Sequence, residues 1–192
     1  MLEEEYQPRR KLPVHLQPAV PEEPPFEFSI RPAVVADLPH IREIYNHYVL
    51  NSTVTFDDKP LSLKALRSKF DHGAKLGMPY IVAESPGKQI LGFAYVYPWK
   101  EKAAYRYTVE NSIYLGPAST QKGLGKALLS ELIERCRAAG IKEMIAVIAD
   151  KGAEASVQLH VNFGFTEIGH MGKVGFKFDR WLGTVLMQKS LK

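Results

Sequence analysis

The stretch Ile113-Tyr114-Leu115-Gly116-Pro117-Ala118-Ser119-Thr120-Gln121-Lys122-Gly123-Leu124-Gly125-Lys126 decides how this chain is to be read. An apolar run stops at Gly116-Pro117. A Gly-x-Gly then opens a segment in which Leu124, Leu128, Leu132 and Cys136 recur every four residues. Leu129 and Ile133 widen that stripe, while Glu131 and Arg135 pair at i,i+4 outside it. The spacing predicts strand, turn and amphipathic helix. Gly140 supplies a left-handed stop at the helix end. The first turn of a helix presents N–H groups without intrahelical partners and a partial positive charge. Glycines there let the backbone approach a ligand with no Cβ in the way. The stretch is therefore a candidate phosphate site, with Lys122 and Lys126 as countercharge. The same spacing also serves tight turns that only pack a helix on a strand. It is not a nucleotide P-loop, which needs Gly-Lys-Ser/Thr after four intervening residues, and it lacks the third glycine of the dinucleotide fingerprint.

Working outward, residues 144–149 form a continuously apolar run, as expected of a strand covered on both faces. A helix over about 154–163 and strands near 165–172 and 181–189 follow. Upstream, a long strand is expected over roughly 105–115. Two more, 80–84 and 89–97, are joined by Ser85-Pro86-Gly87-Lys88. Helical spacing opens at Asp37 and again at Ser62, the second helix running to about residue 75. A short strand, Phe28-Ser29-Ile30-Arg31, ends at Pro32. An antiparallel meander followed by strand–helix–strand–helix–strand is mixed α/β.

With 192 residues, 45% hydrophobic and 24% charged, the chain suits one globular domain and is not a disordered one. Residues 1–27 hold six of the thirteen prolines and carry net −3, and they read as a flexible or surface-wrapped leader ahead of a domain over 28–192. That leaves +7 on the domain, scattered, with no aromatic-studded basic stripe, so nucleic acid is not the expected partner. No apolar run reaches the roughly 18 residues of a membrane span. The opening Met-Leu-Glu-Glu-Glu has neither the basic nor the apolar region of a secretory signal. The single cysteine, Cys136, fits a packing position and no metal cluster is spelled out, so a cytoplasmic, metal-free protein is expected.

A strand, this Gly-x-Gly helix start, an apolar strand, then a helix ending Leu159-His160 before Gly164-Phe165 resembles the GNAT-type N-acetyltransferases over about residues 28–190. Within them the chain is most similar to the phosphinothricin and methionine sulfoximine acetyltransferases. Four segments carry that similarity: Ile44-Tyr45-Asn46-His47-Tyr48, Ser52-Thr53-Val54-Thr55-Phe56, Tyr107-Thr108-Val109-Glu110-Asn111-Ser112, and Gly175-Phe176-Lys177-Phe178-Asp179-Arg180-Trp181. There are two departures. Thr120 stands where such cofactor loops usually begin with Arg or Gln, with Gln121 one place later. Ala153 stands where an Asn often helps bind the pantetheine arm.

The resemblance implies the GNAT fold, a mixed central sheet with splayed strands flanked by helices. It implies acetyl-CoA as donor, held by Ile113, Tyr114, Leu115, Gln121, Lys122, Gly123, Leu124, Gly125, Lys126, Gly152 and Ala153. Backbone N–H groups near residues 113–115 would polarise the thioester carbonyl. Transfer would be direct, since no base stands beside Cys136 to make it a nucleophile. Glu110 falls at the family's catalytic glutamate, and a carboxylate can accept the proton of an attacking amine; its other reading is a Glu paired with Arg106. His160 falls where a proton donor serves the departing thiolate; its other reading is a helix histidine satisfied by a carbonyl. Lys100, Lys102 and Tyr105 would line the substrate site, or Lys100 and Lys102 form a solvated loop. Phe56 would form the opposite wall, or sit in the core. A small amino-acid-like amine and a homodimer with Trp181 near its interface complete what the resemblance implies. The alternatives are a GNAT acting on a polyamine, an aminoglycoside or a protein N-terminus, and a non-catalytic acyl-CoA-binding module.

Overall fold

The computed structural model describes residues 26–192, so the expected leader lies outside the described residues except for Phe26 and Glu27. The chain runs β1 (Ser29–Pro32), α1 (Leu38–Asn51), α2 (Leu63–Lys75), β2 (Tyr80–Glu84), β3 (Ile90–Pro98), β4 (Thr108–Leu115), α3 (Leu124–Ala138), β5 (Glu143–Ala149), α4 (Glu154–Asn162), β6 (Thr166–Lys177) and β7 (Arg180–Ser190). The seven strands form one sheet in the order β1-β2-β3-β4-β5-β7-β6. Every neighbouring pair is antiparallel except β4 and β5, which are parallel.

That one parallel pair is short. It begins at Thr108↔Glu143 and ends at Asn111↔Ala146. Beyond it, β4 continues to Leu115 on β3 alone, and β5 continues to Ala149 on β7 alone. The sheet therefore opens into a V at its centre, and the inner edge of β4 past Asn111 has no strand partner.

Alternation along the strands sorts side chains into two cores. Ile81, Ala83, Val96 and Val109 face α3, whose Leu124, Leu128, Leu129, Leu132 and Cys136 are fully enclosed. Each such leucine contributes roughly 1.5–3 kcal/mol over an exposed one, which makes α3 the anchor of that face. Val82, Ile90 and Phe93 face the other way, against Leu38, Ile41, Ile44 and Val49 of α1 and Leu66 of α2.

Local signals act unequally. Ser62 caps α2, its Oγ accepting from the Ala65 N–H at 3.1 Å. Asp37 does not cap α1 with its side chain. Its carboxylate instead takes both Arg31 terminal nitrogens at 2.8 Å and the Val34 N–H at 2.8 Å. Residues 103–105, part of them expected to begin the long strand, form a 3-10 turn, and β4 starts at Thr108. The first C-terminal strand reaches Lys177 rather than stopping near 172, because irregularities at Glu167/Gly169 and Met171/Gly175 absorb the mismatch with β7. Phe178 (φ 51°) and Asp179 (φ 56°) then form the two-residue turn, the pairing of positive φ values that suits a tight hairpin.

Candidate active site

On the α3 side of the V, Gln121 (φ 62°) and Gly123 (φ 79°) curl the chain into α3. No side chain caps α3 there. The N–H groups of Leu124, Gly125 and Lys126 thus open the helix without intrahelical partners. The Leu124 side chain is buried, so only its backbone serves a ligand. Lys126 is exposed, and the Lys122 ammonium lies 4.7 Å from the Phe26 ring centroid. Thr120 is exposed, and its hydroxyl donates to the Pro117 carbonyl at 3.4 Å.

Past Asn111, the Ile113 and Leu115 side chains pack with the α3 core. Tyr114 points to the opposite face, edge-on to Tyr45 and stacked on Phe93. It can meet a ligand in the V through its backbone only. The Gly152 N–H is engaged by the Glu154 carboxylate at 3.0 Å, and Ala153 is buried among core residues.

Glu110 belongs to the other face, with Tyr97 of β3 and Ile145 of β5 as its neighbours across the sheet. Burial pushes its pKa above the usual carboxylate range, and the Lys100 cation pulls part of the way back. Among the described residues it has no ion pair. Arg106 donates instead to the Ala103 carbonyl and lies over the Tyr107 ring, so the Glu–Arg106 reading fails. Beside Tyr97 opens a groove of about 1160 Å³ lined by Trp99, Lys100, Lys102, Tyr105 and Arg106. Lys100 sits over Trp99 at 4.5 Å.

Phe56 lies against Gly175 of β6, where an added Cβ would stand 2.5 Å from the ring. Its segment is held by Lys177, a buried lysine whose Nζ donates to the Ser52 carbonyl at 2.8 Å and the Thr55 carbonyl at 2.9 Å. Tyr45 donates to Asp57 at 2.6 Å from the same segment. Burial raises the Tyr95 pKa, a hydrogen bond with Ser112 pulls it part of the way back, and the charges of Glu110 and Asp57 add smaller upward pushes.

His160 is on the opposite side, only 3% exposed. Its Nδ1 is 2.7 Å from the Ser156 carbonyl and its Nε2 2.9 Å from Asn111 Nδ2. A carbonyl only accepts, so Nδ1 carries the proton and Nε2 accepts from Asn111. Burial lowers the His160 pKa, favouring this neutral ring. Both ring nitrogens are engaged, as the carbonyl-satisfied reading expects. Glu110 and His160 thus sit on opposite faces of β4 and do not meet. Cys136 is enclosed, its thiol pushed up to about 12 by burial, which suits packing and not nucleophilic attack.

Sequence reading missed three groups. Asn111 is the neighbour of Glu110, and its Oδ1 is one of two buried side-chain polar atoms without a partner among the described residues, the other being Thr184 Oγ1. Lys177 and Asp57 are the others. Only strand alternation around Glu110 could have flagged Asn111 as pointing to the opposite face.

A V between parallel strands, an uncapped glycine-led helix on one face and a raised-pKa carboxylate on the other can hold a phosphate-bearing ligand beside a proton acceptor. Comparison with known proteins narrows this: residues 41–165 match the acetyltransferase (GNAT) family, and the chain belongs to it as an acetyl-CoA-dependent N-acetyltransferase. It is 41% identical over 155 residues to a phosphinothricin N-acetyltransferase of Alcaligenes faecalis, covering 81% of this chain and 78% of that one. It is 43% identical over 163 residues to the L-methionine sulfoximine/L-methionine sulfone acetyltransferase of Pseudomonas paraeruginosa, covering 85% and 94%. A phosphinothricin acetyltransferase from Sinorhizobium meliloti, solved with acetyl-CoA, superposes with a TM-score of 0.82 at 43% identity, covering 85% and 88%. The chain's own residues fit that donor: unpartnered helix amides for its phosphates, the free β4 edge for its arm, and an unmet buried acceptor at the apex.

Proposed function

We propose that the protein acetylates the amine of a small amino-acid-like substrate with a tetrahedral head, of the phosphinothricin, methionine sulfoximine or methionine sulfone type. The observation that carries this is Glu110: a partly buried carboxylate of raised pKa, without an ion pair among the described residues, paired across the sheet with Tyr97, which lines the basic, aromatic groove, and acted on by the Lys100 charge. The names of the relatives support the substrate class.

Acetyl-CoA, when bound, supplies an acyl group activated as a thioester. Glu110 accepts the amine proton, directly or through a water, because an aliphatic amine is mostly protonated at pH 7 and attacks only when neutral. Lys100 and Lys102 meet the substrate's carboxylate or the oxygen of its tetrahedral head as point charges, without the fork of arginine. Phe56, held by Lys177, closes the far wall. His160, with both nitrogens spent, holds Asn111 in place. Gln121, Lys122, Gly123, Leu124, Gly125 and Lys126 hold the phosphates, the last four largely through backbone amides and charge. Gly152 and Ala153 border the arm as backbone.

The exposed Phe176, Phe178 and Trp181 on the β6–β7 hairpin support a homodimer through that hairpin. The lone enclosed cysteine supports a cytoplasmic location. The test is thiol release from acetyl-CoA against phosphinothricin, methionine sulfoximine, methionine sulfone, spermidine, an aminoglycoside and a short peptide. Saturable release with the first three alone is expected. Release only with a cationic amine overturns the substrate assignment, and binding of CoA without release on any amine favours a non-catalytic module.

A further inference from the structure

Asn111 is 6% exposed and fixed in orientation. Because the Ser156 carbonyl at 2.7 Å requires a proton on His160 Nδ1, Nε2 must accept, and the Asn111 amide must turn its Nδ2 toward the ring. Its Oδ1 therefore points away from His160, and among the described residues it has no partner. Buried acceptors are almost always met, and an unmet one is costly. The position is informative: Asn111↔Ala146 is the last rung joining β4 to β5, so the residue that carries this oxygen stands where the V begins.

Chemistry selects what meets it. The oxygen needs a donor. Glu110 is the adjacent residue on the opposite face, so the amine substrate is received on that other side. A thioester offers a carbonyl oxygen and a sulfur, neither of which donates. The first N–H along the coenzyme from its sulfur is the cysteamine amide of the pantetheine arm. We propose that Asn111 Oδ1 accepts that N–H and so positions the thioester opposite Glu110, with His160 acting through Asn111. This rests on the V being the acetyl-CoA site.

The test is calorimetric binding of CoA, of 3′,5′-ADP, which lacks the arm, and of a CoA analogue with that amide nitrogen replaced by a methylene. Wild type is expected to bind the analogue about tenfold or more weakly than CoA. Asn111→Leu should lose a similar factor for CoA and show no further loss with the analogue. Its affinity for 3′,5′-ADP should stay within about twofold, since the α3 loop is a separate site. A variant that binds CoA as wild type does, a wild type indifferent to the methylene, or a parallel loss of 3′,5′-ADP each overturns the proposal. Should Asn111→Leu fail to fold, Asn111→Ala takes its place in the same three titrations. A wild type that binds no CoA removes the V as the site and the proposal with it.

Discussion

Gly175→Ala places a methyl 2.5 Å from Phe56 Cδ2 and 2.6 Å from Cε2. Ordinary carbon contacts begin near 3.5 Å, so the ring must shift by about 1 Å. Gly175 has no positive φ, so alanine adds no backbone strain and the whole effect passes through Phe56. Overpacking an enclosed core costs about 1–3 kcal/mol, but Phe56 is 36% exposed and can swing toward solvent. The low end, about 1 kcal/mol, therefore wins, lowering Tm by about 2–4 °C. Function should suffer more, because a wall moved by about 1 Å can cost about a hundredfold in positioning a reactant. Steady-state kinetics should show kcat/KM for the amine falling about tenfold or more, while the Kd for CoA changes less than about twofold. An unchanged kcat/KM beside the lowered Tm would refute Phe56 as a wall of the site.

Lys100→Met removes the cation that holds the Glu110 pKa down, so the acid limb of the kcat/KM–pH profile should move to higher pH, and Lys100→Arg should leave it near wild type. Lys177→Met strips two carbonyls, Ser52 and Thr55, of their donor. Denaturation should show a loss of about 2 kcal/mol or more, and kinetics a raised KM for the amine. Ser62→Ala should cost about 0.5–2 kcal/mol by urea denaturation, and Ser62→Gly only a few tenths, with activity unchanged.

What was legible in the sequence is what short-range geometry decides. The fourfold spacing from Leu124 to Cys136 declares the buried face of α3, because a helix face depends only on its own residues. The cap at Ser62 and the apolar run of β5 are local in the same sense. The length of β6 was hidden because its irregularities exist only relative to β7. Residues 105–107 read as strand, yet the antiparallel pairing of β3 with β4 ends at Pro98↔Val109; the Tyr105 and Arg106 N–H groups turn back to Lys102 and Ala103, and the Tyr107 carbonyl accepts from Lys142 and Glu143. Lys177 reads as a surface lysine, and its two acceptors lie 125 and 122 residues away. The site divides likewise. Glu110 stood out as a charge within a strand, whereas the role of Asn111 depends on Ser156 setting the His160 tautomer from another element.

The central claim is a division of labour across β4, with base chemistry at Glu110 on one face and the coenzyme held from the other. Glu110→Gln tests it most directly, with kcat, the Kd for CoA and Tm measured on one preparation. The account predicts that kcat falls about a hundredfold or more while the Kd stays within about twofold. Burial raises the Glu110 pKa in the folded state, so its charge opposes folding at neutral pH. The variant should therefore melt at the same temperature or higher at pH 7, a gain that fades as pH falls toward the unfolded pKa. Retained turnover, or an equal loss of turnover and CoA affinity, would contradict the account.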